Sequence, residues 1–370
     1  MLNPGLRFDI IRGSIPDLPQ AEKTVYKPEA LEPRIGLVWD VFKNHKTALK
    51  IHYGRYLEGT KTYYFAQMTP RSDTIYYTVG PDWSTLTELY TIPGENLYSI
   101  DPDIKQPAMD QYVAGIEQIL GTDTSLSVSL IYKKWFNLID PVNIGGIFVP
   151  IQYTDPDTGK VYTVYDQLNP GGDRYYITNP VKGKDIGAAF PDIVSFTPGR
   201  TYKALEISFK KRFSNKWQFY ASYVYSKERG SYSSSLIPGM SSLFTDPNYQ
   251  INNYGQFPSS IPHILKVQAT YVLPLDFIIS AFYVYSSGPT WTRELPVKLS
   301  QGNRNILTEE RGSRRLPATN NLDLRLEKSF SYKRFRCSIA LDVFNVFNRV
   351  KETSVFTRAG VNFGKPTAVN

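Results

Sequence analysis

Five times in these 370 residues, two runs of alternating apolar and polar side chains flank a short turn. In 320–349, NNLDLRLEKSFSYKRFRCSIALDVFNVFNR, Leu322, Leu324, Leu326 and Phe330 fall opposite Asp323, Arg325, Glu327 and Ser329. Beyond Ser331–Arg334 the alternation resumes, with Phe335, Cys337, Ile339, Leu341 and Val343 opposite Arg336, Ser338, Ala340 and Asp342. Successive side chains of a strand point to opposite faces, so each pair predicts an antiparallel hairpin with one apolar and one polar face. The other pairs are 34–42 with 47–58, 110–120 with 125–135, 201–213 with 217–227, and 263–274 with 277–288. A further strand opens the chain at 2–10, and the last pair spans 320–331 and 335–346, which makes eleven strands.

The pattern leaves open which face is wet. In a soluble sheet the apolar face packs on a core; in a transmembrane barrel it meets lipid while the polar face lines the lumen. The connections favour the barrel. Between hairpins run long polar segments, 59–109, 136–200, 228–262 and 289–319, whereas the turns within hairpins have about four residues. Short turns on one side and long loops on the other are the plan of an outer-membrane barrel, and strands of about ten residues cross its apolar band when tilted. Composition agrees, with 41% hydrophobic residues, a mean hydropathy of −0.32 and 27 tyrosines. No run approaches the roughly 20 apolar residues of a membrane helix. Tyr53 and Tyr56, Tyr132 and Trp135, Tyr223 and Tyr225, Tyr283 and Tyr285 mark the long-loop ends, and Phe213, Trp217, Phe330 and Phe335 the short turns. This predicts two aromatic girdles. In this phase Lys50, Glu117, Glu206, Lys266, Asp323, Arg325 and Asp342 face the lumen.

The net charge of +8 comes without a Lys/Arg-rich block, so nucleic acid is not an expected partner. The single cysteine, Cys337, excludes an internal disulfide and sits on an apolar face as a small hydrophobe. His45, His52 and His263 are isolated, no nucleophile or phosphate-loop motif is present, and neither catalysis nor a cofactor is expected. TDPDTGK (154–160) sets Asp155 and Asp157 in an incomplete calcium-loop pattern; its flanks, FVPIQY and KVYTVY, read more simply as a small hairpin closed by a tight turn. Two loops have ligand-binding composition. Residues 228–257 offer Tyr232, Tyr249 and Tyr254 for stacking on sugars or peptides, and 292–317 carry Arg293, Lys298, Arg304, Arg311, Arg314 and Arg315 for anionic lipopolysaccharide or an acidic substrate.

YKALEISFKKRFSNKWQFYASYVYSKERG and LDLRLEKSFSYKRFRCSIALDVFNVFNR resemble barrel hairpins of TonB-dependent outer-membrane receptors of the Oar-like branch, which carry a carboxypeptidase-regulatory-like N-terminal domain. SIDPDIKQPAMDQYVAGIEQIL, PHILKVQATYVLP and LNPGLRFD fit other strands of the same barrel, so the resemblance covers nearly the whole chain. It implies an all-β antiparallel transmembrane barrel of roughly 22 strands, of which this chain is the C-terminal portion, with long extracellular loops and short periplasmic turns. It also implies uptake of a bulky nutrient driven through a plug domain and the TonB–ExbB–ExbD complex, in a membrane of lipid and lipopolysaccharide. The plug, the TonB-contacting box and a closing strand with a terminal aromatic are not visible in the sequence, nor is a secretory signal. The expectation is therefore a fragment that does not transport by itself. Two rivals remain: an adhesin barrel without transport, and a soluble β-rich binding module.

Overall fold

The computed structural model describes residues 1–19, 22–59, 62–69, 72–79, 85–92, 94–231 and 242–369. One antiparallel sheet dominates it. Its strands, in order, are β1 (Leu2–Ile10), β2 (Glu29–Asp40), β3 (Thr47–Leu57), β4 (Ala108–Ile119), β5 (Thr124–Phe136) and β6 (Arg200–Ser214). They continue with β7 (Trp217–Gly230), β8 (His263–Val272), β9 (Phe277–Ser286), β10 (Thr319–Tyr332) and β11 (Phe335–Val343). Each strand pairs with its neighbour in sequence order, and the short segment Gly255–Gln256 joins the side of β7. β2 begins at Glu29, earlier than its alternation suggests, because Leu31 and Glu32 continue the ladder against Phe8 and Arg7 of β1.

The short turns are tight. Ser214 pairs with Trp217, and the two residues between them, Asn215 and Lys216, have φ of 50° and 68°. Positive φ at both central residues matches the twist of the flanking strands, and asparagine tolerates it well. Leu275 and Asp276 turn β8 into β9 with φ of 61° and 58°.

Register carries the two faces through the whole sheet. One apolar row runs Leu49, Ile116, Val128, Ile207, Tyr223 and Leu265 across β3 to β8. These side chains cover no core: Ile116 is 45% exposed and Leu130, one pleat along, 59%. The buried apolar side chains lie instead in the connections, where Ile139, Val142, Val164, Ile193, Phe244 and Ile306 are fully enclosed. Among the described residues the only buried apolar side chains on the eleven strands are Ala108 and Ala204. A sheet with a bare apolar face beside loops that bury their own suits a lipid surround for the strands and water for the loops.

The girdles need one correction. Tyr53, Tyr112 and Tyr132 align across β3, β4 and β5 on the apolar face, with ring centroids 4.9 and 6.0 Å apart. Trp217, Phe330 and Phe335 share that face at the short-turn end. Tyr56 and Trp135 do not belong with them. Each lies three residues from a girdle tyrosine, an odd step that turns a strand residue to the other face. There Tyr56 meets His52 at 2.8 Å and Trp135 lies under Arg200.

Candidate functional site

Connections that the sequence presents as polar stretches are folded. Asp140–Asn143, Tyr175–Thr178 and Tyr98–Ile100 form a three-stranded sheet, and Phe148–Thr154 pairs with Val161–Gln167. Glu294–Leu299 pairs with Gly302–Leu307 in the loop after β9. These hairpins have one apolar face each, and they bury it together: Val164 packs with Leu295, Val297, Leu299 and Ile306.

Polar ties fix how the loops meet. Asp246 caps the short turn Pro247–Gln250 by accepting from the Asn248 amide at 2.9 Å. Arg304 donates to Asp246 at 2.7 Å, and the Asn248 carboxamide both accepts from and donates to the backbone of Tyr165. Three long loops therefore converge on one turn. Further along, Arg293 spans Asp155, at 2.5 and 3.1 Å, and Asp157, at 3.0 Å. Asp155 is fully buried and Arg293 nearly so, and the guanidinium holds the Asp155 carboxyl down at about 2. The charge of the Asp155 and Asp157 carboxylates is thus met by an arginine, and the described residues contain no cluster of three His, Cys, Asp or Glu able to hold a metal.

Beside this junction lies a cavity of about 580 Å³. Tyr249, Phe257 and Trp291 give it flat apolar surface; Asn253, Glu294 and Arg311 give it polar groups. Arg311 is 7% exposed, lies 5.2 Å from the Phe257 ring centre, and is pushed down to about 10 by burial. Its backbone passes so close to Gly255 that a Cβ there would stand 2.1 Å from the Arg311 carbonyl oxygen; Gly312, at φ +68°, crowds Gln256 in the same way. The cavity wall requires both glycines. Such a lining can stack on and hydrogen-bond a polar solute; it offers no nucleophile with a base beside it.

The residues singled out from sequence take different places. Tyr249 lines the cavity. Tyr254 is exposed beside Arg229, and Tyr232 lies outside the described residues. Arg304 is held by Asp246, Arg314 by Glu309 at 2.6 Å, and Arg315 donates to the carbonyls of Ser260 and Gly288. Arg304 and Arg315 join loop to loop, and Arg314 ties its own loop. No sequence spacing marks the lining residues Phe257, Trp291 and Asn253: Asn253 and Phe257 come from one loop and Trp291 from another.

On the sheet, Lys50, Glu117, Glu206, Lys266, Asp323, Arg325 and Asp342 all project from the polar face. Register links Glu117 through Ser127, Ser208 and Ser222 to Lys266, and Lys50 through Gly115 and Ser129 to Glu206. Lys50 pairs with Glu117, and Arg325 with Glu327 at 2.9 Å and Asp342 at 3.0 Å.

Residues 19–295 match the outer membrane beta barrel domain family. The TonB-dependent transporter Oar of Myxococcus xanthus is 24% identical over 403 residues, a match that covers 94% of this chain and 34% of that protein. BauA, the ferric preacinetobactin receptor of Acinetobacter baumannii, superposes with a TM-score of 0.50 at 11% identity, over 95% of this chain and 36% of its own. The FrpB iron transporter of Neisseria meningitidis gives 0.50 at 12%, over 95% and 39%. At these identities the two structures speak for the fold alone. The relatives are transporters and receptors, not enzymes. With its sheet bare of core on the apolar face and its family matched over most of its length, the chain belongs to the outer membrane β-barrel domain family and resides in the outer membrane of a Gram-negative bacterium.

Proposed function

We propose that this chain is barrel wall and extracellular loop layer of a receptor that imports a bulky polar nutrient. In this reading Lys50, Glu117, Glu206, Lys266, Asp323, Arg325 and Asp342 line the lumen and contact a plug domain, and the TonB–ExbB–ExbD complex supplies energy. The observation that carries it is the row of polar side chains that runs in register from Glu117 through Ser127, Ser208 and Ser222 to Lys266, on a sheet joined at its long-loop end to a folded loop layer with an aromatic cavity. A surface adhesin needs the loops but not a continuous polar wall behind them. The similarity to Oar supports transport over adhesion. The cavity favours a solute with flat apolar faces and hydrogen-bonding edges, such as an oligosaccharide or a peptide.

Whole-cell uptake tests this. Cells lacking TonB should still bind the nutrient at the surface but accumulate none of it, and Trp291→Ala should weaken binding. Accumulation that is independent of TonB, or binding with no uptake in energised cells, would refute the proposal.

A further inference from the structure

We infer that the outer surface of β3 to β7 carries a binding site for a phosphorylated glycolipid of the outer leaflet, separate from the loop cavity. A depression of about 620 Å³ lies on the apolar face. Its floor is Ala114, whose single methyl sits between Ile51 and Leu130 in register and leaves a gap between larger side chains. Leu205 and Tyr225 continue the row. One pleat toward the long loops runs a second row: Tyr53, Tyr112, Tyr132, Lys203 and Lys227.

The two lysines are the informative part. They stand directly opposite each other on β6 and β7, both exposed. Like charges so placed repel, and neighbouring strands hold them about 5 Å apart at Cα. Two other cations in the same phase have carboxylates: Arg55 pairs with Asp110 at 2.7 Å, and Arg229 with Glu310. Among the described residues neither Lys203 nor Lys227 is in a salt bridge; Lys203 has only the Tyr132 ring, 5.8 Å away. A phosphate between them relieves the repulsion, the tyrosines flank the sugar, and the depression takes an acyl chain. The row lies where strands leave the apolar band for the long loops, which is the level of outer-leaflet headgroups. The inference rests on the apolar face meeting lipid.

The receptor purified from outer membranes and stripped of lipid is titrated with diphosphoryl lipid A, the dephosphorylated lipid, and phosphatidylglycerol, with native mass spectrometry as the readout. Diphosphoryl lipid A should bind best. Lys203→Glu with Lys227→Glu should weaken it roughly tenfold to thirtyfold, while Lys203→Arg with Lys227→Arg retains it. Ala114→Phe, which fills the depression without changing charge, should weaken both lipid A forms. Lys328→Glu, on the same face at the short-turn end, should leave binding unchanged. Equal affinity for the double glutamate variant would overturn the site, as would equal affinity for phosphatidylglycerol. Recovery of the receptor outside the membrane fraction would instead overturn the lipid-facing assignment beneath it.

Discussion

The sheet and the loop layer answer the same problem in opposite ways. Val128 and Val164 are both strand valines in alternating sequences, yet Val164 is sealed among Leu295, Val297 and Ile306, while Val128 sits in an apolar row that faces outward. The sheet relies on its surroundings to be apolar; the loops make their own interior. Charges follow suit. On the sheet's polar face the ion pairs are open and networked, as at Arg325 with Glu327 and Asp342, whereas the loop pair Arg293–Asp155 is closed off from water.

The largest expected effect tests the buried pair. Arg293→Ala leaves Asp155 buried and uncompensated and should destabilise the loop layer by about 3–5 kcal/mol. Amide exchange should rise in the loops around 154–160 and 292–308 while the strands stay protected; equal loss in the strands would dissolve the distinction between the layers. The same pair sets a pH response. Asp155 titrates at about 2 when folded against an ordinary value of 3.8, so its contribution is complete above 3.8 and is lost as the pH falls toward 2. Limited proteolysis of the loops should become faster across that window, and Arg293→Ala should abolish the dependence.

Val128→Arg probes the other layer. A cation at the middle of the lipid face should cost about 2–4 kcal/mol and reduce assembly into outer membranes, read from the heat-modifiable band on gels, whereas a soluble sheet would accept it. Ile306→Val deletes one methylene in the loop core and should cost about 0.5–1.5 kcal/mol, confined to the loops by exchange. Arg325→Glu should have the smallest effect on stability. It exchanges an exposed ion pair for repulsion, so the thermal midpoint should drop slightly and recover with added salt. A large, salt-independent loss there would place Arg325 in a dry site.

Much of this was legible in the residues. Alternation in ALEISFKK puts Leu205, Ile207 and Phe209 on one face whatever the surroundings, because a strand has period two. The long-short rhythm of connections then points to a barrel, since few other folds leave such loops all on one side. Tyr56 and Trp135 lie near the girdle tyrosines along the chain yet face the other way, because an odd step along a strand changes face. The cavity was hidden for a different reason. Tyr249, Phe257, Trp291 and Arg311 come from two loops, which the Arg304–Asp246 pair ties together.

By itself, then, the sequence determined the strands, their faces and their pairing, which are local consequences of alternation and short turns. Tertiary structure alone decided that the long loops fold and that their arginines serve as internal ties. Such contacts join residues far apart in the chain, and no periodicity along one segment encodes which distant segment it will meet.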